Sequence, residues 1–189
     1  MSRRSATTHR YFSDAARVVI QDDRCVAASW LYGILRDLEH NAMSSNPTVW
    51  VFFYGTFVNP EVCARANAEL RDVELTRLAG FDIRIGPLAN LVRSDQHIVY
   101  GVIARMNHTE LGRLYSMDWV GTYLPEAVLV ESQHGRLIPA LTYLKPVMEP
   151  APADDAYIDR IIDPGRRYGF PQWYLDRLDS FRASRRDPG

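Results

Sequence analysis

The sequence is poor in the residues that metal, disulfide and membrane schemes require. Its two cysteines, Cys25 and Cys63, lie far apart and outside any C-x-x-C pattern, which disfavours a disulfide framework and a zinc ribbon alike. The five histidines (His9, His40, His97, His108 and His134) never recur at i, i+4, and no H-E-x-x-H occurs, so no metal site is expected. No apolar run reaches the roughly 18 residues of a membrane span. Met1 to Arg10 is polar and has no apolar h-region, so a secretory signal is not expected either. The default is a cytoplasmic protein of bacterial type without a membrane partner. An excess of one charge is also missing: 22 basic residues face 23 acidic ones, for a net charge of −1. Phosphate binding wants a clear basic excess, so no nucleic-acid partner is expected. Lysine is nearly absent, Lys145 being the only one, which reads more simply as codon composition than as function.

What is present is ordinary for a globular chain. Hydrophobic residues make up 47% and charged residues 24% of 189 positions. That length predicts one domain with an appendage, able to bury about 70% of the surface its unfolded form exposes.

Three segments follow from composition: an extension over residues 1–46, a domain over 47–182, and a flexible tail over 183–189. Within the extension, MSRRSATTHR reads as a disordered start. Val26, Trp30, Leu31, Ile34, Leu35 and Leu38 then recur at helical spacing, predicting an amphipathic helix over Asp23–Ala42. Its apolar face must be buried, either on the same chain or on a second copy, which would make a homodimer. MSSNP (43–47) is turn chemistry and marks a boundary.

The domain opens with VWVFF (49–53), the pattern of a buried strand. Asn59-Pro60 predicts a helix through Leu70. Strands are predicted over Arg71–Ala79, Phe81–Ile85, Leu88–Val92 and His97–Met106, then a helix over Leu111–Met117 capped by Asn107 or Thr109. Val128–Ser132 and Leu137–Leu144 flank the His134-Gly135 turn as a hairpin. Pro146 to Pro152 is a proline-rich crossing segment, followed by amphipathic helices over Asp154–Ile162 and Pro171–Phe181. Strands in the middle and helices at both ends predict an α+β fold around a small curved or closed sheet.

Particular residues carry a resemblance. Tyr54-Gly55-Thr56-Phe57 follows the apolar strand, Gly86-Pro87-Leu88-Ala89-Asn90-Leu91 comes next, and then Val99-Tyr100-Gly101-Val102-Ile103. Met106-Asn107 precedes Leu111 and Leu114. Tyr123 enters the next strand, and Thr142-Tyr143-Leu144 lies late. Tyr157, Ile161, Gly165, Gly169-Phe170-Pro171, Tyr174 and Leu178 close the series. The order and spacing resemble the gamma-glutamylcyclotransferase family from about Val49 to Phe181. The resemblance implies a small mixed β-barrel with flanking helices, here joined to an N-terminal helical extension. It also implies a small-molecule gamma-glutamyl substrate, converted to 5-oxoproline and a free amine without metal or cofactor. The ring closure is intramolecular, so orientation supplies much of the rate.

The same resemblance suggests site residues. Tyr54, Gly55, Thr56 and Phe57 would form a cradle for the glutamyl carboxylate, Gly55 allowing close approach. Tyr123 and Tyr143 would line the substrate pocket. The family places its acid/base in D-x-x-E-G. An ungapped count lays Tyr115 to Trp119 on that motif, with Asp118 at the glutamate position, Tyr115 for the leading Asp and Trp119 for the Gly. Asp118 keeps the carboxylate but shortens its reach by about 1.5 Å. If the register slips, Glu126, Glu131 and Glu61 are the substitutes. The degenerate motif also fits a non-catalytic binding or regulatory module on the same fold. Asn90, Arg84 and Arg93 are further residues that the fold would place near the cleft, and Trp173 and Tyr174 read as packing.

Overall fold

The computed structural model describes residues 47–148 and 151–183, which belong to one unit, Asn46–Gly189. The predicted helix Asp23–Ala42, the start Met1–Arg10 and residues 184–189 of the tail lie outside the described residues.

Strand β1 (Thr48–Phe53) runs into a single 3-10 turn, Thr56–Val58, and a short helix α1 (Pro60–Ala64). Two long strands follow, β2 (Arg71–Ile85) and β3 (Ala89–Asn107), then helix α2 (His108–Tyr115). The hairpin β4 (Leu124–Ser132) and β5 (Leu137–Leu144) leads to helices α3 (Asp155–Tyr168) and α4 (Gln172–Asp179). The strands close a barrel in the order β1-β3-β2-β4-β5. β1 and β5 meet in parallel at Val51 and Leu141, and the other neighbours are antiparallel. This is the α+β barrel with flanking helices that the sequence predicts.

Local differences have physical causes. The helix after Asn59 stops at Ala64 rather than Leu70, because the Ala68 N–H folds back to the Cys63 carbonyl through Asn67 at φ 50°. β2 and β3 are each continuous where two pieces are predicted. The break survives as a bulge: the register jumps between Ala79↔Ile98 and Phe81↔Arg93, with Gly80 at φ 82° opposite the polar excursion 94–97. α2 begins at His108 because Asn107 and Glu110 form a reciprocal capping box, the Glu110 N–H donating to Asn107 Oδ1 at 2.9 Å and the Asn107 N–H to Glu110 Oε2 at 3.1 Å. α3 continues past Pro164, where the sequence reading ends the helix at Ile162. Pro164 forfeits one helical hydrogen bond, but it and Gly165 extend the buried face of Ile158, Ile161 and Ile162, and Gly169 at φ 87° closes the helix.

Two glycines permit close packing of the barrel. A Cβ on Gly101 of β3 would lie 2.3 Å from the Phe53 carbonyl oxygen and 2.6 Å from the Phe52 ring. A Cβ on Gly165 would lie 2.7 Å from the Phe170 ring. These contacts give a steric reason for glycine at two positions of the sequence pattern. Charged pairs tie the elements together. Arg71 of β2 grips Glu110 of α2 in two hydrogen bonds, at 2.9 and 2.7 Å. Buried Asp82 of β2 pairs with Arg177 of α4 and with Arg84, the latter at 3.0 Å.

Candidate active site

A narrow cleft opens where β1 ends. β1 and the turn after it contribute Phe52 through Phe57, the β2–β3 connection contributes Leu88 and Ala89, and α3 contributes Tyr157. The remaining side comes from the end of α2 and the chain beyond it, with Tyr115, Trp119, Val120 and Tyr123. None of these side chains is an acid or a formal base.

The polar groups are hydroxyls and main chain. Ala89 is held from both sides: its N–H donates to Tyr157 Oη at 2.8 Å, and its carbonyl accepts from Tyr123 Oη at 2.6 Å. Tyr54 Oη donates to the Tyr143 carbonyl at 2.6 Å, tying the turn to β5. Gly55 sits under this frame, where an added Cβ would lie 3.2 Å from Ala89 Cβ and 3.5 Å from Tyr157 Oη. Thr56 differs from its neighbours. It is 4% exposed, and its Oγ1 is buried without a hydrogen-bond partner. A buried hydroxyl left unpaired costs free energy, which a bound polar group would recover.

Burial raises the tyrosine hydroxyls. Desolvation pushes Tyr157 up to about 12, partly offset by the Ala89 and Thr56 backbone N–H groups. It lifts Tyr54 and Tyr115 well above the ordinary value, with neighbouring tyrosines adding to the effect, and it raises Tyr123 as well. At neutral pH these groups remain protonated donors, so none of them serves as a general base.

The predicted site residues divide into three groups. Tyr54, Gly55, Thr56, Phe57 and Tyr123 line the cleft together. Tyr143 stands behind the lining: its carbonyl receives Tyr54, and its ring stacks on Tyr115 at 3.8 Å with 17° between planes. Asp118 is solvent-exposed in the turn after α2 and is not among the lining residues, although the next residue, Trp119, is. The substitute carboxylates are engaged or exposed. Glu131 pairs with Arg77 at 2.7 Å, Glu126 pairs with Arg93, and Glu61 is exposed on α1. Asn90 points its amide at the Lys145 main chain, donating at 2.9 Å and accepting at 2.8 Å.

Sequence reasoning assigned no site role to Tyr157, Ala89 or Lys145, and placed Tyr115 and Trp119 only as replacements within the acid/base motif. Tyr157 and Ala89 were visible only as members of a recurring pattern, and their meeting across the cleft depends on tertiary structure. Lys145 Nζ lies 5.7 Å from the Tyr123 ring centroid. Among the described residues no cluster of three metal-ligating side chains occurs, and no helix is long and apolar enough to cross a membrane.

Comparison with known proteins bears on this arrangement. The family model described as "Gamma-glutamyl cyclotransferase, AIG2-like" matches residues 51–161, more than half of the chain. The chain belongs to this family. The gamma-glutamyl cyclotransferase match begins inside β1 and ends inside α3, so it contains all of the cleft lining. No match was found among curated proteins. Among solved structures, one named "Gamma-glutamyl cyclotransferase" superposes with a TM-score of 0.63 at 24% identity, covering 71% of this chain and 88% of the other. An uncharacterized protein from Homo sapiens gives a TM-score of 0.61 at 24% identity, with the same coverages of 71% and 88%. YkqA from Bacillus subtilis gives 0.58 at 21% identity, covering 76% of this chain and 57% of its own. At these identities the likeness shows the shared fold.

Proposed function

We propose that this family member binds a gamma-glutamyl amide in the cleft and converts it to 5-oxoproline and a free amine. The observation that carries the proposal is Thr56, a buried unpaired hydroxyl in a turn that lines a largely aromatic cleft. The glutamyl α-carboxylate takes the place of the missing partner, accepting from Thr56 Oγ1 and from the main chain of the turn. The α-amine then faces its own γ-carbonyl. The amine nitrogen bonds to the γ-carbon, the amide C–N bond breaks, and one proton passes from the attacking nitrogen to the departing one. No water is consumed. Asp118 is the carboxylate assigned to carry that proton. It flanks a lining residue on a short turn, so a ligand that draws the turn 116–120 inward brings the carboxylate to the reacting atoms. Catalytic contacts commonly tighten only when the ligand is bound.

A second reading, binding without turnover, is favoured by the same exposure of Asp118. One experiment separates the two. The protein is incubated with a set of gamma-glutamyl amides, and 5-oxoproline is measured against enzyme concentration. Cyclotransferase action releases many equivalents, and Asp118→Asn lowers the rate by about 10²-fold or more. Parent-like turnover by Asp118→Asn and Asp118→Ala removes Asp118 from the mechanism. Stabilisation by glutamyl ligands without any 5-oxoproline establishes the binding module instead.

A further inference from the structure

With the glutamyl part at Thr56, we assign to the amine half the lining on the α2 side together with the adjoining Phe57: Phe57, Tyr115, Trp119, Val120 and Tyr123. Four of these five residues are aromatic, and none is charged. Three rings brace one another. Tyr115 meets Phe57 edge-on at 5.3 Å and 82°, lies 5.7 Å from Tyr123, and stacks on Tyr143 from behind. Trp119 is different. Its single ring neighbour among the described residues is Phe57, at 5.9 Å, and it remains 47% exposed while lining the cleft. An indole left half in water beside an apolar cleft presents a face that a ligand can cover.

From this we infer that the mouth of the cleft is a subsite for an aromatic amine half, so that the preferred ligands are gamma-glutamyl arylamides or arylalkylamides. The inference rests on the function proposed above for the glutamyl part. The chemistry disfavours the main competitors. A cationic amine half would find ring faces to lie on, but the Lys145 ammonium already lies over Tyr123 and repels a second cation there. An aliphatic amine half buries area but makes no ring–ring contact. An aryl group adds offset or edge geometry against Trp119 and Phe57, worth about two- to tenfold in affinity beyond burial.

The test compares four compounds: gamma-glutamyl anilide, phenethylamide, n-butylamide and 4-aminobutylamide, the last carrying a free ammonium. Dissociation constants are measured by calorimetry on Asp118→Asn, and kcat/KM is measured by 5-oxoproline release on the parent. The expected result is a phenethylamide-to-butylamide preference of about two- to tenfold, with the 4-aminobutylamide weakest. Trp119→Ala in the same background brings the ratio near one, and Trp119→Phe keeps most of it. Because Trp119 is half-exposed in a turn, both variants are expected to fold, and circular dichroism checks this. A parent ratio below twofold, an unchanged ratio in Trp119→Ala, or no binding by any compound overturns the inference. An intact binding ratio without 5-oxoproline from any compound supports the subsite and rejects the cyclotransferase reading.

Discussion

The two sides of the cleft are built differently. On the β1 and α3 side, main-chain hydrogen bonds and steric exclusion hold the lining in place. Gly101 lets Phe52 and Phe53 close against β3, and Tyr157 holds the N–H of Ala89, whose carbonyl Tyr123 reaches from the opposite side. On the other side, α2 passes from a fixed end to a loose one. Its N-terminus is locked by the capping box and Arg71, and its last turn is still anchored by Arg113, which donates to the carbonyls of Ala66 at 2.9 Å and Asn67 at 2.5 Å; the looseness begins beyond Tyr115. Its C-terminus ends in a turn closed by one Val120 N–H to Met117 carbonyl bond at 2.9 Å, with Asp118 and Trp119 exposed. The difference shows which side of the cleft is held rigidly by backbone contacts and which side has room to vary.

That contrast can be broken by experiment. The largest effect is expected at Gly101→Ala. The new Cβ meets a backbone oxygen that cannot swing away, so a loss of about 3 kcal/mol or more is expected in urea unfolding. A loss below 1 kcal/mol would mean that the fixed side yields easily. Next is Glu110→Gln, at about 2 kcal/mol, because it removes charged hydrogen bonds to Arg71 from a side chain only 5% exposed. Here pH supplies a second check. The Arg71 hydrogen bonds, opposed by burial, lower the Glu110 carboxyl to about 2 from its ordinary 4.5. A depressed carboxylate stabilises the fold fully above its unfolded value and loses that contribution as pH falls from about 4.5 through about 2. The gap between parent and Glu110→Gln should therefore narrow over that window, and a gap constant with pH would contradict the assigned pairing. The smallest stability effect belongs to Asp118→Asn, expected within about 0.5 kcal/mol because the residue is exposed on the loose side. If its melting curve shifts as far as that of Glu110→Gln, the two sides are not distinct.

The sequence revealed the fixed side more fully than the loose one. VWVFF is apolar on every residue, so its burial needs no knowledge of its partners. Asn107 followed three residues later by Glu110 is a cap by local chemistry alone, although reading helical spacing from Leu111 put the start too late. The His134-Gly135 hairpin was legible for the same local reason. The helix end at Ile162 was set too early, because the burial of Pro164 and Gly165 that offsets the backbone cost of a proline is a tertiary feature. The closure of β5 onto β1 joins residues 90 positions apart in sequence, as Val51 and Leu141 do, and leaves no local mark. For the site, the residues of the Tyr54–Phe57 turn were legible through their pattern. Whether a turn residue such as Asp118 points inward is decided by the direction in which α2 ends. Local spacing does not encode that direction. Tyr157 was legible as a pattern residue, but its hydrogen bond to Ala89 spans 68 positions and was not.

Ala89 carries a consequence for change over generations or in the laboratory. Both of its clasping bonds run to peptide atoms, so altering its side chain does not remove them, and the close packing of its Cβ over Gly55, where an added Cβ would lie 3.2 Å away, restricts only its size. A scaffold anchored in this way separates heritable shape from heritable preference. Under the proposed function, the neighbours of Asp118 in the turn 116–120 can be exchanged to suit a new amine while the frame assigned to the glutamyl group keeps its geometry.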